Sequence, residues 1–154
     1  MSSRAPHLST RIRPASRADL LAVFRIEQRA FPQPWPYVAF EQFLGERGFL
    51  VAAQAEQVIG YIIADTITNH GRPLGHVKDL AVREADRGHG VGRQLLGSAL
   101  SAMEAADVAR VKLEVRPSNE AAVALYRRSG FSQHRSVPRY YDDGEDALIM
   151  IRTG

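Results

Sequence analysis

Apolar residues recur along the chain with two rhythms, a period of two and a period near 3.6, and these rhythms mark out its elements. Residues 10–14 read as a first strand. Ser16 offers an N-cap, and Leu20, Val23, Phe24 and Phe31 then fall at helical spacing. Residues 31–37 are predicted as a loop, since Pro32, Pro34 and Pro36 break both helix and central strand. Phe40, Phe43 and Leu44 predict a short second helix ending near Gly48. Residues 49–53 and 58–68 read as strands around the turn at 54–57, and 69–75 is turn-rich. Residues 77–82 form the next strand. A helix over about 90–106 carries Gly92, Leu95, Leu96, Ala99, Leu100 and Met103 on one face. Residues 111–115 alternate, with Val111, Leu113 and Val115 on one side and Lys112 and Glu114 on the other. Ser118 or Asn119 caps a helix that stops at Gly130, and strands over 131–140 and 146–151 close the chain around 142–144.

Hairpins therefore come first, followed by a right-handed crossover from strand 76–82 through helix 90–106 to strand 111–115. This order predicts an α/β (α+β) domain on a mixed, mostly antiparallel sheet with flanking helices. A length of 154 residues suits one domain over 10–154, preceded by a flexible tail over 1–9.

Composition narrows the function. Hydrophobic residues make up 45% and charged residues 24%, the balance of a soluble globular protein. The chain has no cysteine, which excludes disulfides, thiolate nucleophiles and zinc-thiolate sites. No apolar run approaches the roughly 18 residues of a membrane span. The first ten residues lack the apolar core of a secretory signal, so a cytoplasmic protein without membrane contact is expected. The net charge of +3 comes almost wholly from dispersed arginines, which suit an anionic ligand as well as nucleic acid. No basic stripe interleaved with aromatics appears, and nucleic acid is not an expected partner. His70, His76 and His89 are close in sequence, but none forms a helical i, i+4 pair with a carboxylate partner, so no metal site is predicted.

Arg87-Gly88-His89-Gly90-Val91-Gly92 follows a strand and opens a helix. Backbone N–H groups at a helix start are unpaired, and the dipole favours an anion in front of them. Glycine permits close approach and positive φ, while Arg87 and Arg93 add charge-assisted donors. The alternative is a glycine-rich turn that binds nothing. The spacing is not that of a Walker loop, and a dinucleotide fold usually places its glycine loop after the first strand.

Arg87-x-x-Gly90-x-Gly92 matches the acetyl-CoA motif of the GNAT acetyltransferases, and three further segments extend the match. His76–Val82 looks like the strand that pairs with the pantetheine arm; residues 113–131 look like the next strand and helix; residues 139–147 resemble the last hairpin. Over about 10–152 the chain resembles the branch that acetylates protein N-termini, including RimI-like ribosomal-protein-alanine enzymes and archaeal enzymes of broader scope. Two departures stand out: Asp86 replaces a frequent aromatic residue, and Gly88 replaces a common second basic residue.

The resemblance implies a splayed parallel strand pair, acetyl-CoA as co-substrate, and a protein or peptide α-amine, in some relatives that of a ribosomal protein, as acceptor. A monomer or weak dimer is expected. It places the cofactor on Leu80, Ala81, Val82, Arg87, Gly88, His89, Gly90, Val91, Gly92, Asn119 and Tyr126, with an oxyanion donor among the N–H groups of residues 80–82. Glu114 becomes the general base, Tyr126 the acid for the departing thiolate and His76 an assistant to the base. Read alone, Glu114 is as well a solvent-facing carboxylate, Tyr126 a core aromatic and His76 a structural histidine. Tyr37, Leu80 and Tyr141 are expected to line the peptide slot, with a loop anchor beside Trp35 the other reading of Tyr37. Arg127 and Arg128 lie on an exposed helix face, open to the 3′-phosphate end of CoA or to solvent. A polyamine-type acetyltransferase would need a carboxylate-rich acceptor cleft, whereas residues 31–40 and 138–142 hold only Asp142. A non-catalytic acyl-CoA sensor would not need Glu114 and Tyr126.

Overall fold

The computed structural model describes residues 9–68 and 70–154. The tail expected over 1–9 lies, except for Ser9, outside the described residues, as does Asn69 of the turn-rich segment. Strands β1 (Arg11–Pro14), β2 (Gly48–Gln54), β3 (Gln57–Ile67), β4 (Leu74–Val82), β5 (Arg110–Val115), β6 (Ser132–Val137) and β7 (Ala147–Thr153) form one sheet ordered β1-β2-β3-β4-β5-β7-β6. Helices α1 (Leu20–Ala30) and α2 (Tyr37–Glu41) pack on one face, and α3 (Val91–Ala105) and α4 (Glu120–Arg128) on the other.

The central strands are buried on both faces, and their side chains divide by parity. Leu50, Ala52, Ile62 and Ala64 pack with Leu95, Leu96 and Ala99 of α3. Phe49, Val51, Tyr61 and Ile63 pack with Leu20 and Val23 of α1 and Phe40 of α2.

Several boundaries differ from expectation, among them the end of α2, at Glu41 rather than near Gly48, and the start of β4, at Leu74 rather than 77. Tyr37 is not in the loop but opens α2, because Pro36, extended at φ −70° and ψ 155°, occupies the N-cap, where proline's missing N–H costs nothing. Strand β6 ends at Val137 rather than near 140, since Arg139 takes a φ of 51° and turns the chain away from the ladder.

All pairings are antiparallel except β4 with β5, as the crossover requires. That parallel pairing is short, joining residues 74–77 to residues 110–113. Beyond it β4 stays with β3 as far as Val82, and β5 stays with β7 as far as Val115. The two inner edges therefore diverge. A bulge marks the point: Val77 faces Ala64 and Asp79 faces Ile63, which leaves Lys78 as an extra residue. Bulges bend a strand and redirect its side chains.

Candidate active site

The gap between β4 and β5 opens into a cavity of about 310 Å³. Its floor is residues 77–80 of β4 and Glu114 and Val115 at the end of β5. One wall comes from the α1–α2 loop through Phe31, Gln33 and Trp35, and another from the last hairpin through Tyr140 and Tyr141. Asn119, Ala122 and Tyr126, from the start of α4 and its inner face, close the far side.

Strand alternation puts Glu114 on the cavity side of β5, where His76 of β4 meets it. His76 Nε2 lies 2.7 Å from Glu114 Oε1, and both side chains are 14% exposed. A carboxylate can only accept, so this bond fixes the proton on Nε2. Lys112 Nζ stands 3.5 Å from the other carboxylate oxygen. Burial works to raise the Glu114 carboxyl, but the His76 hydrogen bond and charge, with Lys112, outweigh it and hold the carboxyl below its ordinary value. Glu114 is thus an ionised, oriented acceptor of protons facing the gap.

Tyr126 projects from α4, is 6% exposed, and packs edge-on against Phe131. Burial first, then the neighbouring Asp79, raises its phenol well above the usual range, so it stays protonated. Asn119 caps α4 through Oδ1, which accepts from the Ala122 N–H at 3.2 Å.

The β4 edge supplies backbone donors. The Arg83 N–H reaches the Ile59 carbonyl of β3 at 2.7 Å. Because N–H direction alternates along a strand, Ala81 also faces β3, and the N–H groups of Leu80 and Val82 face the gap. Of the three residues expected to supply an oxyanion donor, Ala81 is therefore excluded.

Just past β4 the glycine loop leads into α3. Gly88 and Gly90 take φ of 82° and 83°, a left-handed conformation in which Gly90 caps the helix without a side chain. The N–H groups of the first turn point out of the helix end with no side-chain cap. Residues 87–90 are exposed, whereas Val91 is buried and anchors the turn. Arg87 Nε donates to the Val82 carbonyl at 2.9 Å and ties the loop to the end of β4. This is the donor set that a pyrophosphate requires.

Tyr141 lines the cavity, beneath the Arg116 guanidinium at 4.0 Å from its ring. Burial, with Tyr140 beside it, pushes the Tyr141 phenol up to about 12. Tyr37 does not line the cavity; it packs edge-on against Phe24 with ring centroids 5.7 Å apart, which corrects its expected place in the slot. The opening of α2 at this residue turns the ring toward α1. Arg128 lies exposed at the end of α4, also outside the cavity.

Several site residues escaped the sequence reading. Arg116 binds Asp143 at 2.8 Å, Glu145 at 2.9 Å and Gln33 at 3.2 Å, and so joins the two walls. Tyr140 stands beside Tyr141. Asp79 and Glu27 also reach the cavity, linked through Tyr61. Glu27 carries a readable signal, since it interrupts the apolar stripe of α1 yet is only 1% exposed. Among the described residues no group of three or more His, Asp or Glu could hold a metal ion.

A family model described as "Acetyltransferase (GNAT) family" matches residues 20–131. An N-alpha-acetyltransferase of Sulfurisphaera tokodaii is 36% identical, over 91% of this chain and 90% of that protein. The [ribosomal protein bS18]-alanine N-acetyltransferase of Escherichia coli is 35% identical, over 86% of this chain and 89% of its own length. The crystal structure of Ard1 from Thermoplasma volcanium superposes with a TM-score of 0.87 at 29% identity, over 94% of this chain and 97% of that one. Conserved length, identity and fold agree with the splayed strands and the glycine loop: the chain belongs to the acetyltransferase (GNAT) family.

Proposed function

We propose that the protein transfers the acetyl group of acetyl-CoA to the free α-amine at a protein or peptide N-terminus. The observation that carries this reading is the Glu114–His76 pair, set in the β4–β5 gap on the same cavity as Tyr126. The glycine loop supplies the pyrophosphate seat, and the diverging strands leave an open edge along which the pantetheine arm can pair.

The chemistry follows from the groups present. A neutral amine attacks the thioester carbon; a C–N bond forms and the C–S bond breaks. The Val82 N–H faces the place where the oxyanion develops, with the Leu80 N–H, held by Asp79 Oδ1 at 3.0 Å, beside it. The amine's surplus proton passes to Glu114, directly or through water, and Tyr126 protonates the leaving thiolate. An α-amine, with a pKa of about 7.7–8, is a far easier nucleophile than a lysine side chain near 10.4 for a base of lowered pKa.

A polyamine-type acceptor is disfavoured by the fate of the acidic side chains. Glu27 and Asp79 reach the cavity but are held by protein donors, and Asp142 is exposed at its rim. An acceptor chain entering between the loop and the hairpin instead meets Phe31, Trp35, Tyr140 and Tyr141. Ribosomal-protein N-termini and nascent chains in the cytoplasm are the acceptors this reading places first. Incubation with acetyl-CoA and peptides differing at their first two residues tests it. Acetate on the α-amine is expected by mass spectrometry, and acetate found only on lysine side chains or small amines overturns it.

A further inference from the structure

Behind the open edge of β4 lies a chain of polar groups that the mechanism above does not use. Tyr61 of β3 is fully buried, Glu27 of α1 is 1% exposed, and both sit within an otherwise apolar cluster. The Tyr61 hydroxyl touches Glu27 Oε1 on one side and Asp79 Oδ2, at 3.1 Å, on the other. The outer oxygens are also engaged. The Leu80 N–H donates to Asp79 Oδ1 at 3.0 Å, and the Trp35 N–H donates to Glu27 Oε2 at 2.9 Å.

Counting hydrogens decides the state of this chain. Tyr61 has one hydroxyl proton and two carboxyl neighbours. Both contacts are hydrogen bonds only if one carboxyl carries a proton of its own. With the Tyr61 hydroxyl donating to Glu27, the remaining contact is satisfied when Asp79 Oδ2–H donates to the Tyr61 oxygen. Two carboxylates sharing the one Tyr61 hydroxyl would hold like charges close together, which disfavours ionising both. Burial first, and then Glu27, raises the Asp79 carboxyl well above its ordinary value, in agreement. The titratable groups facing Asp79 are Glu27 from α1, Tyr61 from β3, Tyr126 from α4 and, across the cavity, Glu114 from β5.

We propose that Asp79 is a positioning residue that works as a neutral acid, and that with Tyr61 and Glu27 it ties the Leu80 edge of β4 to the acceptor loop at Trp35. The role in acetyl transfer rests on the function proposed above; the protonation state does not. A neutral Asp79 leaves no charge beside the N–H groups that receive the oxyanion, and it yields the Leu80 donor more readily than a carboxylate would. At the other end, the Glu27 carboxylate holds the loop that forms one wall of the acceptor slot.

Asparagine reproduces the neutral acid: its NH₂ can donate to Tyr61 and its carbonyl can accept from Leu80. Asp79→Asn is therefore expected to keep kcat within about threefold of the parent, an effect of about 0.7 kcal/mol or less. Asp79→Ala is expected to lower kcat by about tenfold or more, as misplacement at an active site does. The parent-minus-Asp79→Asn infrared difference spectrum at neutral pH should show the C=O stretch of a protonated carboxylic acid. A carboxylate band in its place overturns the proposal, whether or not any peptide is acetylated. So does an asparagine variant as impaired as the alanine variant. A raised peptide KM in Asp79→Asn with unchanged kcat also overturns it, because an anionic Asp79 would then be holding the substrate's ammonium group. Thermal melts of each variant separate these outcomes from unfolding; if Asp79→Ala does not fold, the asparagine kinetics and the infrared band still decide.

Discussion

At the scale of single residues, the proposed transfer relies on a Glu114 charge that His76 helps to keep. Glu114→Gln preserves shape and removes the proton acceptor, so turnover should fall by about 10²–10⁴-fold with little change in binding of either substrate. An unimpaired rate would remove Glu114 from the role of base. His76→Ala makes a subtler test. The hydrogen bond from His76 favours the ionised carboxyl, so its loss lets burial raise the Glu114 pKa. Activity requires the carboxylate, is present above that pKa and is lost as pH falls through it. The acid limb of kcat should therefore move to higher pH in His76→Ala, and an unmoved limb would show that His76 does not tune the base. These residues were legible because strand parity places Glu114 opposite the apolar side of β5, and the family motif then supplies its partner. Asp79, Tyr61 and Glu27 were not legible as a unit. Tyr61 sits in a strand buried on both faces, where a tyrosine looks like core. Asp79 is aimed inward only because a bulge at Lys78 breaks the alternation of β4.

At the scale of elements, the helices, the hairpins and the crossover followed from periodicity, while the exact ends depended on single turns such as those at Pro36 and Arg139. How β1 is fixed to the start of α1 was not visible, because it rests on a side-chain pair. Arg13 binds Asp19 through two parallel bonds of 2.8 and 2.9 Å, and the Ser16 N–H and hydroxyl donate to the same carboxylate. The Arg13 hydrogen bonds foremost hold the Asp19 carboxyl below its ordinary value against a burial penalty, with Ser16 adding to the effect. A depressed carboxyl stabilises the fold above its unfolded pKa and ceases to do so as pH falls through the folded one. Asp19→Ala should cost about 1.5–3 kcal/mol at neutral pH, since it breaks a charge-assisted pair and leaves donors without an acceptor. The melting temperature should drop by about 2–4 °C per kcal/mol, and the gap from the parent should narrow in strongly acidic buffer. Equal melting temperatures at neutral pH would show that this joint is not a source of stability.

At the scale of the whole molecule, one sheet separates two apolar clusters, and the cofactor's expected path runs along the place where its inner strands part, from the β4–β5 gap to the mouth of α3. Binding there should stabilise the folded chain by mass action, by about 2.7 kcal/mol when acetyl-CoA is present at a hundred times its Kd. Gly90 links that stabilisation to backbone geometry. A Cβ added at Gly90 meets nothing within 4 Å, so Gly90→Ala introduces no clash with neighbouring atoms. It does face a φ of 83°, which costs an L-residue about 1–2 kcal/mol and favours a relaxed loop. Two effects should therefore appear together in a thermal-shift titration: a small loss of stability in the absence of cofactor, and a reduced gain on adding acetyl-CoA at a concentration that saturates the parent. A full gain with only the small loss would mean that the loop's left-handed turn serves the fold alone, and the pyrophosphate seat would have to lie elsewhere along the β4 edge.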